Sequence, residues 1–284
     1  MNTKVTEGFV GEENPDYGYY KSQWWEIIFR KIGANLIALT RNLTLLWSIF
    51  VRTNYYVFRG KIVWKDVIEQ TYEFGWRSIF FLTVTMGFVA MLFVHQAAYQ
   101  VDRVTGDLQL VGATYIELVV HDLYASIGAV ILATRIGAGM AAEIGSMVVT
   151  DQVDAVRMCG SDPVEYLVVP RYLGSIIGGT AVLIYTCAVM IFVGMFTAYN
   201  YFDVNPRIYW NLSMVDWNEV MVGLIKSVAY CAAIPIVSSF CGLTTFGGSR
   251  GVGWATTRSV VYSALAIILL DAFISILDYF TFYG

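Results

Sequence analysis

Three stretches of this chain, residues 78–101, 172–202 and 227–249, contain no Asp, Glu, Lys or Arg. A helix of ~20 such residues crosses the hydrocarbon core of a bilayer, and within it only a helix or a closed barrel satisfies every backbone polar group. Of the 284 residues, 57% are hydrophobic and 14% charged, where soluble domains carry about a quarter. A soluble domain of this length could not bury so much apolar surface. The expected fold class is therefore an all-α polytopic membrane protein. Two further apolar stretches interrupted by ionisable groups bring the crossings to five, at about 78–101, 113–147, 166–199, 218–246 and 256–282.

The basic residues orient these spans. Ten of the 18 Lys and Arg residues precede position 80, and the loops after the first and third spans carry only Arg103 and Arg207. That predicts a cytoplasmic N-terminus, outer loops at about 102–112 and 200–217, and a C-terminus on the far side. Residues 1–23, polar and acidic, read as a disordered cytoplasmic tail, with one membrane domain over 24–284. No cleavable signal peptide or Arg/Ser-rich transit peptide is read there, which favours a bacterial protein. The stretch 24–59 is apolar but basic. Arg30, Arg41, Arg52 and Arg59 are spaced by 11, 11 and 7 residues and fall within a stripe of roughly 40° on a helix. This predicts a helix lying in the inner interface with its arginines on anionic headgroups; a sixth span is the alternative. The four cysteines show no CxxC spacing and read as small buried hydrophobes.

Ionisable groups at membrane depth are costly and need partners or a function. On the second span Glu117, His121, Arg135 and Glu143 fall within about 80° of one another, together with Gly128 and Gly139. Such a stripe faces a partner helix or a cavity. Asp122 on the second span, Lys226 on the fourth and Asp271 on the fifth all reach the outer half of the bilayer at about 1.5 Å per residue. With His121 nearby, they are expected to form one polar cluster lining an outward-facing lipid cavity; a purely structural salt bridge is the alternative. Arg258 lies further in on the fifth span.

Between the second and third spans lies a short polar segment, expected to be a rigidly bounded cytoplasmic helix over 150–160. Thr150 is its expected N-cap, with Asp151 in the first turn and Gly160 at the C-terminal end. Asp162, Pro163 and Glu165 then form a capping box for the next helix. The exposed polar residues of the short helix suit docking on another protein.

Three ordered blocks carry a resemblance to a known family: Ala141-Ala142-Glu143-Ile144-Gly145 through Asp162-Pro163 and Pro170-Arg171; Leu224-Ile225-Lys226-Ser227; and Gly251-Val252-Gly253 through Asp271. On them the chain resembles the MlaE permeases, the membrane subunits of Mce-type lipid ABC transporters. The resemblance implies a homodimer in the bacterial inner membrane, two cytoplasmic ATPase subunits that bind ATP and Mg, and a periplasmic Mce-domain hexamer. It implies phospholipid or a related lipid as cargo, and no nucleic acid. Thr150, Asp151, Gln152, Asp154 and Arg157 match the segment that couples to the ATPase, and 24–59 matches the family's interfacial helix. Many members carry Arg-Glu-Leu-Gly-Pro where this chain has His121-Asp122-Leu123-Tyr124-Ala125: the acid survives, the arginine and the Gly-Pro break do not.

There is no G-x-x-x-x-G-K-[ST], so hydrolysis is expected on a separate subunit and no cofactor or metal on this chain. Gly247-Gly248-Ser249-Arg250-Gly251 lacks the lysine and reads as a turn. The competing functions are an intramembrane enzyme using His121 and Asp122, and a non-transporting anchor of an Mce complex. Adjacent helical residues diverge by about 100°, which works against joint action on one atom.

Overall fold

The computed structural model describes residues 24–60, 62–104, 106, 108–210 and 215–282; the tail assigned to 1–23 lies outside them. The described residues fold into helices α1 (Trp24–Arg59), α2 (Trp64–Val104), α3 (Val111–Val149), α4 (Gln152–Met158), α5 (Val164–Phe202), α6 (Pro206–Tyr209), α7 (Trp217–Leu243) and α8 (Gly248–Phe282), without strands. Five of them, α2, α3, α5, α7 and α8, are long and apolar enough to cross a membrane. The chain is thus an all-α polytopic membrane protein with the expected number of crossings. The helices outrun the apolar stretches: α2 begins at Trp64 and carries Lys65, Asp66, Glu69, Glu73 and Arg77 before its charge-free part.

The chain forms two compact units, Met1–Leu45 and Leu46–Gly284, divided inside α1. The first is helical from Trp24 onward, and its Leu36, Ile37 and Leu43 are exposed.

Lipid tails are as apolar as Leu, so the spans hold together by close packing and interhelical hydrogen bonds. Along α5 the sequence Gly174-Ser-Ile-Ile-Gly178 lets α2 approach until a Cβ at Gly178 would sit 2.7 Å from the Thr71 carbonyl oxygen. Pro235 in α7 cannot donate to the Cys231 carbonyl one turn back. Ser175 on α5 supplies the missing donor, its Oγ 2.8 Å from that oxygen. Ser259 Oγ on α8 lies 2.9 Å from the Gly137 carbonyl oxygen of α3 and 3.0 Å from Ser238 Oγ of α7, its one proton shared between them. Leu82, Met86, Ala90 and Val94 of α2 fill the core with Ala125, Ala129 and Leu132 of α3, and with Leu183, Met190, Tyr230 and Ile234.

Within the described spanning helices, four turns depart from α geometry. Residues Val119–Leu123 and Ala133–Gly137 in α3, and Val164–Val168 and Ser175–Gly179 in α5, are π-helical. Each such turn accommodates a surplus residue in an otherwise α-helical run. A uniform 100° per residue therefore does not hold along α3.

Candidate functional site

The ammonium of Lys226 is fully buried where α3, α7 and α8 meet. Its Nζ lies 2.6 Å from Asp122 Oδ1 and 3.2 Å from Asp271 Oδ1. The Ser126 hydroxyl sits between the two carboxylates, 3.0 Å from Asp122 Oδ1 and 3.1 Å from Asp271 Oδ1. Tyr230 OH donates to Asp271 Oδ1 at 2.7 Å. One buried cation is thus held by two carboxylates, with hydroxyls meeting further lone pairs, as ions out of water require. The three residues expected to converge do so. Ser126 and Tyr230 escaped the sequence reading, though each stands four residues after a cluster member and so on its face.

His121 turns elsewhere. Its Nε2 lies 3.2 Å from Asp278 Oδ2 of α8. Both line a cavity of about 440 Å³ with Thr114, Glu117, Leu118, Glu219, Ser275 and Tyr279. Glu117, Glu219 and Asp278 are five or seven residues from Asp122, Lys226 and Asp271, all toward the same end of the bundle. The cavity therefore opens one to two turns, or roughly 8–10 Å, beyond the cluster on the same three helices. Its walls are the cluster's neighbours rather than the cluster itself, although Asp122 and Asp271 keep 36% and 29% of their side-chain surface accessible. Asp278 and Glu219 were missed because depth alone does not tell which way a side chain turns.

The remaining members of the α3 stripe are separated. Arg135 and Glu143 line a second cavity of about 180 Å³, with Glu73, Phe74, Arg77 and Ser78 of α2 and Ile136, Gly139 and Met140 of α3. Glu143 Oε1 pairs with the buried Arg171 of α5 at 2.7 Å. Gly128 is packed on Leu183 of α5, whereas Gly139 faces open space. Arg258 stacks over the Tyr262 ring at 5.5 Å.

The short helix begins later than expected. Thr150 is not its N-cap: Thr150 terminates α3, and its Oγ1 bonds back to the Ser146 carbonyl at 2.9 Å. The cap position belongs to Asp151, whose φ of 58° is left-handed, a conformation that Asp tolerates better than most residues. Helix α4 then spans Gln152–Met158, anchored by the buried Val153, while Gln152, Asp154 and Arg157 are exposed. Asp154 and Arg157 pair at 2.9 Å. Gly160, φ 78°, closes the helix as expected, its N–H on the Arg157 carbonyl and that of Ser161 on Val156. Asp162 caps α5 through the Val164 N–H at 3.0 Å. Its second oxygen accepts from Tyr56 OH at 2.9 Å, with Arg52 at 3.8 Å. That hydrogen bond, more than burial, pushes the Tyr56 phenol up from its ordinary range. Asp162 thus joins α1, the α4 turn and α5.

Among the described residues no three His, Cys, Asp or Glu side chains are grouped as a metal site needs. The family model described as Permease MlaE matches residues 67–277. A probable ABC transporter permease protein of Synechocystis is 34% identical, covering 78% of this chain and 84% of that protein. The Arabidopsis protein TRIGALACTOSYLDIACYLGLYCEROL 1, chloroplastic, is 31% identical over 77% of this chain and 63% of its own length. A probable ABC transporter permease protein of Pyropia yezoensis is 28% identical over 78% and 84%.

Proposed function

The chain belongs to the MlaE permease family, and from that premise we propose that it is the membrane subunit of an ATP-driven Mce-type transporter. In this reading a homodimer moves phospholipid or a related lipid between the bacterial inner membrane and a periplasmic Mce-domain tunnel. Separate ABC ATPase subunits bind ATP and Mg and dock on α4 through Asp151, Gln152, Asp154 and Arg157, with Thr150 at the α3 end. The N-terminus is cytoplasmic and the C-terminus periplasmic. The observation that carries the reading is the Lys226–Asp122–Asp271 cluster, charge at membrane depth beside a cavity of about 440 Å³. Charges so placed are expensive and mark substrate paths. A relative named after a galactolipid is the second support. The enzyme alternative loses ground because His121 and Asp122 address different partners, Asp278 and Lys226.

On ATP-driven closure of the motor subunits, α4 is pushed, α3 and α5 tilt with it, and the outer cavity exchanges lipid with the Mce pore. Mass spectrometry of lipids co-purified with the intact complex tests the site. Wild type is expected to hold an enriched lipid that Asp122→Ala with Lys226→Ala loses; equal lipid in both makes the cluster a structural ion pair. Asp151→Arg with Asp154→Arg is expected to abolish stimulated ATP hydrolysis while the complex still assembles. Unchanged turnover removes the coupling role from α4.

A further inference from the structure

The second cavity, between α2 and α3, holds two polar groups with nothing to bond. Arg135 Nη1 and Ser78 Oγ are both buried and without a hydrogen-bond partner. Other α2 hydroxyls fold back onto a carbonyl one turn earlier, as Thr71, Thr83 and Thr85 do at 2.7 Å. Ser78, wholly buried, does not. Several other cations of the spanning helices are partnered. Arg77 pairs with Glu73, Arg171 with Glu143, Lys226 with Asp122 and Asp271, and Arg258 lies on the Tyr262 ring. Arg135 has neither an ion pair nor a ring among the described residues.

The cavity's charge follows. Glu73 pairs with Arg77 and Glu143 with Arg171, which leaves Arg135 as the charged group on its wall without an ion pair. The outer cavity is the reverse, with Glu117, Glu219 and Asp278 around His121. Arg135 is half-buried, and a guanidinium nitrogen sealed from water without a partner is costly; a hydroxyl donor beside it makes the site one for an oxyanion. At about 180 Å³ the cavity is small for a whole lipid and ample for a headgroup phosphate. Gly139 faces open space at its mouth, and Phe81 and Val84, four and seven residues after Arg77 on the same face of α2, are exposed. Arg77 and Arg135 stand 13 and 14 residues from the Trp64 and Val149 ends of α2 and α3, the α4 side of the molecule, and further from their other ends.

We propose that this cavity binds the phosphate of a glycerophospholipid drawn from the leaflet on the α4 side. Arg135 and Ser78 donate to the phosphate, Arg77 stands at the rim, and the acyl chains lie outside along Phe81 and Val84. The site needs only that the chain spans a membrane, so it stands or falls apart from the transport reading.

The test uses the full-length chain in detergent micelles carrying Phe81→p-benzoylphenylalanine, with photo-cross-linking to phosphatidylglycerol as the readout. Diacylglycerol with the same chains, which lacks phosphate, and inorganic phosphate as competitor are the comparison arms. Arg135→Gln is expected to weaken phosphatidylglycerol labelling about tenfold, the scale of one charge-assisted hydrogen bond. Arg135→Lys keeps most of it, Ser78→Ala loses about threefold, and diacylglycerol labelling does not respond to any of the three. Parent-like labelling by both Arg135→Gln and Ser78→Ala, each melting like the parent, overturns the proposal, with water then meeting both donors. Equal loss for diacylglycerol also overturns it, as does displacement of phosphatidylglycerol by inorganic phosphate, which would make a free anion the ligand.

Discussion

Replacing Lys226 with Met leaves Asp122 and Asp271 facing each other across the place the ammonium held, 2.6 and 3.2 Å from its nitrogen. Removing one partner of a buried ion group strands the rest, at a cost of roughly 3–5 kcal/mol. Thermal unfolding in detergent is expected to show a large drop in midpoint for Lys226→Met and a much smaller one for Lys226→Met with Asp122→Asn and Asp271→Asn. Equal drops would mean that the carboxylates do not repel. The convergence of these three residues was legible because a membrane fixes depth: counting residues from the end of each span placed them at one level before any packing was known. The His121–Asp278 pair was not legible, since it depends on how each helix turns about its own axis. In α3 the two π-helical turns upset the constant 100° on which the stripe of Glu117, His121, Arg135 and Glu143 was drawn.

At the scale of elements, packing rests on small residues that bring backbones together. A Cβ at Gly178 would meet the Thr71 carbonyl at 2.7 Å, while one at Gly253 on α8 meets nothing within 4 Å. Gly178→Leu is expected to push α2 from α5 and to cost about 1–3 kcal/mol or more, as overpacking does. Gly253→Leu leaves the melting midpoint close to the parent's, and equal effects in the two would remove the close approach as the cause. The boundaries of α4 were half legible. Gly160 announced the C-terminal end, because glycine is the residue that adopts its φ of 78° without strain. The start was misplaced by one residue, since Thr150 can bond backward into α3 as readily as forward into α4, and a good capping residue does not say which helix it serves.

At the scale of the molecule, the number of crossings was legible from charge-free runs alone, and the extra length of α2 was not, because a helix that has left the bilayer no longer needs to be apolar. The proposed orientation has a built-in probe. Cys159, just past α4, is exposed, while Cys231 and Cys241 are buried and Cys187 is partly so. A membrane-impermeant maleimide is expected to label Cys159 in inverted vesicles and not in spheroplasts, with protection once the ATPase subunits are added. Labelling only from the periplasmic face would invert the topology and with it the docking role of α4. The four π-helical turns carry one further consequence, for tolerance to insertions and deletions. A one-residue deletion in an ordinary membrane helix throws everything beyond it out of phase and turns a packed face to lipid. In α3 and α5, a deletion inside Val119–Leu123, Ala133–Gly137, Val164–Val168 or Ser175–Gly179 removes the surplus residue and tightens the turn to α-helix, so the flanking segments keep their facing. Length variation among related chains is therefore expected to concentrate in those four windows, with the glycine and serine contacts between them unshifted.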